Sequence, residues 1–160
     1  MGPGDDALAV SRVYAASWRA AYRRIVPQAF LDEMAEDRWC GFLTGGGAES
    51  LLLLDGQRLA GTAAYGPARQ TETAGCGEVI SLYLLPDCWG RGLGKVLLEA
   101  ALERLREMGC REASLWVLEE NRRARAFYER QGFSLSGAAL DCEIGGKELR
   151  EVRYVRCLEA

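Results

Sequence analysis

The sequence predicts a single α+β domain with a central strand covered on both faces. Three observations carry this prediction. The chain has 160 residues, 49% of them apolar, which suits one compact domain with a substantial core. Helix-period and strand-period segments follow one another with no internal repeat, low-complexity tract or linker. The run Val79 to Leu85 is nearly continuous in apolar residues and of strand length, the pattern of a central strand covered on both faces.

The elements follow in order. Asp5 or Asp6 can cap a helix whose inward positions Val10, Val13, Tyr14, Ser17, Trp18, Ala21 and Tyr22 recur at three and four. Pro27 suits the first turn of a short helix holding Phe30, Leu31 and Met34, and another helical stretch runs from about Asp37 to Leu43, ended by Thr44 and the three glycines 45 to 47. Leu51 to Leu54 and Leu59 to Tyr65 read as two strands turning at Asp55-Gly56, and Gly66-Pro67 closes the second. Ala68 to Gly77 reads as a loop before the central strand, which Pro86-Asp87 terminates. From Leu93 the stripe Leu97, Leu98, Ala101, Leu102, Leu105, Met108 marks an amphipathic helix ending at Gly109. Ala113 to Leu118 is a strand, Asn121 an N-cap, and Arg122 to Arg130 a helix ended by Gly132. Phe133 to Ile144 and Glu148 to Leu158 form a last strand pair turning at Gly145-Gly146.

Composition removes whole classes of chemistry. Twenty basic and 23 acidic residues give a net charge of −3, which disfavours nucleic acid as a partner, and no apolar run approaches the roughly 20 residues of a bilayer span. The sequence contains no histidine, so serine-histidine triads, cysteine-histidine dyads and paired-histidine metal sites are all excluded. Six cysteines are scattered with no C-x-x-C pair, and Met1 to Asp6 carries no basic segment followed by an apolar one. Reduced thiols and a cytoplasmic location are the expectation.

The informative segment is a strand, then Trp89-Gly90-Arg91-Gly92-Leu93-Gly94-Lys95, then a helix. Glycines at alternate positions let backbone N–H groups turn outward and a bulky ligand come close, while the helix N-terminus adds partial positive charge. Phosphate or pyrophosphate is the natural guest, although a tight turn packing a helix on a strand uses the same residues. A nucleoside-triphosphate loop needs a hydroxyl after its lysine, where Val96 stands, and a dinucleotide fingerprint would place its third glycine at Lys95. The ATP and NAD readings both drop.

Gly92 and Gly94 after an apolar strand, followed by Leu115-x-Val117, Asn121, Ala124, Phe127-Tyr128 and Gly132-Phe133, resemble the two halves of the GCN5-related N-acetyltransferase (GNAT) family, and the resemblance spans most of the chain. The family motif is Arg/Gln-x-x-Gly-x-Gly/Ala, so Trp89 departs from it at one position. The resemblance implies one N-acetyltransferase domain over residues 1–160 with the family's three-layer fold, a central mixed sheet flanked by helices. It implies acetyl-CoA as co-substrate, no metal, and direct attack by a small-molecule or peptide amine on the thioester. The pantetheine arm would enter between splayed strands holding Leu82 and Leu115 and pair near Leu82 and Leu84. The pyrophosphate would lie on Trp89, Gly90, Arg91, Gly92, Leu93, Gly94 and Lys95, with Asn121 holding the arm or serving only as a cap.

Tyr128 matches the family tyrosine that protonates or hydrogen-bonds the departing CoA thiolate, or else it packs on an amphipathic helix. Glu78 matches the position where some members place a general base acting through water, or else it is a solvated glutamate at the strand end, and other relatives use ordered water alone. Trp18, Tyr22, Trp39 and Trp116 line an acceptor pocket or fill the core. Arg122, Arg123 and Arg125 meet the ribose phosphate or form a solvated face. A strand usually precedes the first helix in the family and only Met1 to Gly4 is available for it, so that sheet edge is missing or supplied by another chain, and a homodimer is expected. Residues 1–88 carry seven basic and eleven acidic side chains, and 89–130 carry nine and seven, so the acceptor half suits a cationic amine and the cofactor half an anion. The rival reading is an acyl-CoA-binding sensor or scaffold without turnover.

Overall fold

The computed structural model describes residues 6–69 and 75–158. Met1 to Gly4, on which the expectation about the first strand rests, and Asp5 lie outside the described residues, as does most of the expected loop after Ala68. The Asp6 carboxylate accepts from the Leu8 backbone N–H at 2.9 Å and starts α1 (Ala7–Ala21). α2 (Gln28–Asp32) follows Pro27 but stops short of Met34. The guanidinium of Arg19 favours the stop, because it donates to the carbonyls of Leu31 and Met34 at 3.2 and 2.6 Å and satisfies them without a further helical turn. The expected helix from Asp37 is reduced to α3 (Cys40–Thr44), with Trp39 held by its N–H to the Ser11 hydroxyl.

Among the described residues, six strands make one sheet in the order β1 (Glu49–Asp55), β2 (Arg58–Pro67), β3 (Cys76–Leu84), β4 (Glu112–Leu118), β6 (Lys147–Cys157), β5 (Ser134–Ile144). Only the β3–β4 pair is parallel. Asp55 pairs with Arg58, so the β1–β2 turn centres on Gly56-Gln57, one residue later than the sequence suggested. After β3, a 3₁₀ turn (Pro86–Cys88) leads to α4 (Leu93–Glu107), and α5 (Arg122–Arg130) follows the Asn121 cap, whose side chain accepts from Ala124 N–H at 3.1 Å.

The layers follow from the two periodicities. α4 puts Leu97, Leu98, Ala101, Leu102 and Leu105 against Val79, Leu115, Val117 and Tyr154, with Phe127 and Tyr128 of α5 completing that face. Each buried leucine contributes about 1.5–3 kcal/mol, and Leu102→Ala costs about 2–5 kcal/mol. Gly77 permits the close approach, since a Cβ there would lie 2.7 Å from the Leu105 side chain. The opposite face is covered by α1 to α3 through Val10, Tyr14, Ala15, Leu31 and Leu43. This is the expected three-layer α+β arrangement. Among the described residues no helix is long and apolar enough to cross a membrane.

Candidate active site

β3 and β4 pair at Cys76–Glu112, Gly77–Ala113 and Glu78–Ser114 and then part. The cause is visible in the neighbouring ladder. Ala64 of β2 faces Ser81 and Tyr65 faces Val79, so Ile80 is an extra residue in β3, a bulge that bends the strand away from β4. The Ser81 hydroxyl takes the Ala64 N–H at 3.3 Å and shares a 2.6 Å hydrogen bond with the Tyr14 hydroxyl, which secures the bend. The central strand is therefore buried only in its first half, and Ile80 to Leu84 are half-buried walls of a cavity of about 980 Å³. Leu85 N–H bonds Ala60 of β2, so alternation turns the backbone of Leu82 and Leu84 toward the gap.

At one end of the gap stands the glycine loop. Gly92 adopts the left-handed conformation at φ +80° and starts α4 with no side-chain cap, leaving the first helical N–H groups without an internal partner. No heavy atom lies within 4 Å of where a Cβ at Gly90 or Gly92 would sit, so both present open backbone. Lys95, Arg123 and Arg130 border the same cavity. Pyrophosphate requires outward N–H groups, space and cations, and the loop supplies all three.

The departure at Trp89 has a structural role. Its indole N–H donates to the Leu84 carbonyl at 3.0 Å, and Arg123 lies over its ring at 3.6 Å from the centroid. Ser17 donates to the same carbonyl at 2.6 Å, so Leu84 offers an incoming arm its N–H and Leu82 offers both backbone groups.

Tyr128 is buried, with its ring edge-on to Phe127 and Phe133, and it borders the cavity. Burial pushes its phenol well above the ordinary tyrosine range, with a smaller push from Tyr83, so it stays protonated. Tyr83 accepts from the Trp18 indole N–H at 2.9 Å, and burial raises Tyr22 and Tyr83 likewise. Glu78 is 2% exposed and clamped by Arg69, whose backbone N–H donates at 3.0 Å and whose Nε and Nη2 reach both carboxylate oxygens. Across the cavity, half-buried Glu151 of β6 has no side-chain hydrogen bond among the described residues. Burial raises its carboxyl, Arg69 opposes the rise and Glu78 adds to it.

The cavity thus brings together Glu78, Leu82, Leu84, Trp89, Gly90, Gly92, Gly94, Lys95, Asn121 and Tyr128 of the expected set. Arg91 and Leu93 are outside its walls, and the Arg91 guanidinium is held 2.7 Å from Asp55, so those positions offer backbone N–H groups only. Of the aromatic candidates, Trp18, Tyr22 and Trp116 reach the cavity while Trp39 packs against Tyr14 and Trp18. Arg125 is engaged by the Tyr154 hydroxyl and Glu119 carbonyl, which leaves Arg123 as the member of its cluster at the cavity. Sequence reasoning missed Arg69, Tyr83 and Glu151. A signal existed for the last: two residues from buried Leu149 in β6, a charged side chain stands on an inward face. Among the described residues no three His, Cys, Asp or Glu side chains are grouped to hold a metal ion.

Residues 11–133 match the model of the acetyltransferase (GNAT) family. The uncharacterised N-acetyltransferase YuaI of Bacillus subtilis is 29% identical over 155 residues, covering 92% of this chain and 86% of that protein. A mycothiol acetyltransferase of Geodermatophilus obscurus is 41% identical over 86 residues, covering 52% of this chain and 28% of its own length. In structure, the PaiA N-acetyltransferase of Thermoplasma acidophilum, solved in complex with coenzyme A, superimposes with a TM-score of 0.71 at 19% identity, over 95% of this chain and 92% of the other.

Proposed function

The chain belongs to the acetyltransferase (GNAT) family, and from that premise we propose that it moves the acetyl group of acetyl-CoA to a primary amine by direct attack of the amine on the thioester. The observation that carries this reading is the parting of β3 and β4 after Glu78 and Ser114, beside an uncapped helix with open glycines. A pantetheine-like arm finds backbone groups of Leu82 and Leu84 in that gap, as an added strand would. Asn121 lies at the cavity's edge to hold the arm while also capping α5.

Acetyl-CoA supplies the activated thioester; the chain supplies position and proton handling. The amine nitrogen bonds to the acetyl carbon, the carbon–sulfur bond breaks, and the Tyr128 hydroxyl donates to the departing sulfur. Desolvation raises the thiolate's proton affinity together with the phenol's, which keeps the pair matched. The base reading of Glu78 gives way to an anchoring one in this scheme. Three donor groups of Arg69 occupy its carboxylate oxygens, and the amine's proton leaves through water. The edge strands β1 and β5 are where a second copy would pair in the expected homodimer.

Release of free CoA thiol over many turnovers with an amine from a panel of polyamines, aminoglycosides, arylalkylamines, amino acids and peptide N-termini is the expected result. Tight acetyl-CoA binding with no thiol release on any amine would support the sensor alternative instead.

A further inference from the structure

The cavity that Tyr128 borders is also walled by α1, the end of β3 and β6. Its walls are Trp18, Tyr22 and Tyr83 on one side and Trp116 on the sheet, with Glu151 between Leu118 of β4 and Leu140 of β5 in the strand register. Three side chains that can carry charge meet here: Arg69, Glu78 and Glu151. Arg69 spends its charge on Glu78, to which it makes every hydrogen bond it has among the described residues. The trio therefore keeps one uncompensated negative charge, and it resides on Glu151.

A half-buried carboxylate without a partner is a costly feature unless a cation completes it. Aromatic faces around it favour a cation as well, and they favour one that carries an apolar body. Resting on the acetyl-transfer reading above, we propose that Glu151 binds the ammonium group of the acceptor, so that the acceptor is a primary amine on an aromatic or other apolar body with no carboxylate next to its nitrogen. An α-carboxylate would be brought against Glu151 and Glu78, where like charges repel. Among the described residues, the groups facing Glu151 are Arg69, Glu78, Tyr22, Tyr83 and Cys142, of which Arg69 is the cation. With Arg69 alongside, the ammonium is held without being locked in its charged form.

A matched pair tests this. Initial rates of thiol release are measured with 2-phenylethylamine and with L-phenylalanine, which differ by the carboxylate alone, in wild type and in Glu151→Gln. The amine is expected to exceed the amino acid in kcat/KM by at least about tenfold. Glu151→Gln is expected to raise KM for the amine by about ten- to a hundredfold, with a smaller change in kcat, and to shrink the preference. Thermal stabilisation by acetyl-CoA should be equal in the two proteins, which shows that the variant is folded and its donor site intact. Equal turnover of the two acceptors, or an unchanged KM in Glu151→Gln, would overturn the proposal while leaving acetyl transfer in place. Acetyl-CoA binding with no turnover of any amine would remove both.

Discussion

The guanidinium of Arg123 lies 3.6 Å from the centroid of the Trp89 indole, and that indole donates to the Leu84 carbonyl at 3.0 Å. One side chain thereby links α5, the glycine loop and the end of β3 across the mouth of the cavity. The family's usual Arg or Gln at this position would act through a polar side chain, whereas here the cation comes from α5 and the aromatic ring holds it. Trp89→Ala should release Arg123 and leave the Leu84 carbonyl to Ser17 alone. We expect KM for acetyl-CoA to rise about tenfold, the effect of losing roughly 1.4 kcal/mol of binding, with kcat nearly unchanged. An unchanged KM in steady-state kinetics would reduce the stack to surface packing.

Gly92, like Gly90, should tolerate no side chain. Its φ of +80° is strained for any side chain, and a Cβ would occupy the open space before α4. Gly92→Val is expected to abolish stabilisation by acetyl-CoA in a thermal shift assay, because a ligand that no longer binds no longer raises stability. Gly94 is a poorer test, since a Cβ there meets Leu84 at 3.2 Å and disturbs packing as well.

Much of this arrangement was legible in the sequence because local rules governed it. The stripe on α4, the Asn121 cap and the glycine loop each depend on neighbours within a few positions and appear where periodicity and capping place them, except that Met108 falls at the C-cap of α4 and is exposed. The parting of β3 and β4 entered through family resemblance, and its physical cause, the bulge at Ile80, depends on register with β2, which no local pattern encodes. Glu78 was legible as a candidate, but its clamp by Arg69 comes from a residue nine positions away. Glu151 joins the cavity only through strand order, since β6 lies between β4 and β5. The stop of α2 at Asp32 is likewise favoured by Arg19 of another helix.

Tyr128→Phe removes one hydroxyl and keeps the ring that packs on Phe127 and Phe133. Acetyl-CoA affinity should hold, while kcat falls by about ten- to a thousandfold, the range for losing one proton donor. Full wild-type turnover in single-turnover kinetics would leave Tyr128 a packing residue.

Glu151 should cost stability in the ligand-free protein. Burial raises its carboxyl from the ordinary glutamate value, with Arg69 opposing and Glu78 adding. The folded state then holds this proton more tightly than the unfolded chain, so its contribution falls as pH rises through the folded titration. Glutamine carries no such penalty. Glu151→Gln is expected to raise Tm at neutral pH, and the difference should shrink toward acid, where Glu151 is protonated in both states. Calorimetry at several pH values reads both; a lower Tm for the variant at neutral pH would mean the carboxylate has a stabilising partner.

Glu78→Gln separates two roles that geometry alone brings close together. A carboxylate that took the amine's proton through water would lose most activity at low pH and regain it as rising pH deprotonates the amine unaided. A carboxylate that anchors Arg69 loses its grip at every pH. Glutamine retains one acceptor oxygen for the guanidinium but removes the charge, so Arg69 should loosen and swing toward Glu151, cancelling the charge that an ammonium would seek. We therefore expect a loss in kcat/KM of about ten- to a hundredfold, the scale of a small misplacement in the site, nearly uniform from pH 6 to 9. Arg69→Ala should show the same uniform profile, since it breaks the same clamp from the other side. Recovery of Glu78→Gln at high pH, with Arg69→Ala remaining impaired, would return Glu78 to the role of proton acceptor.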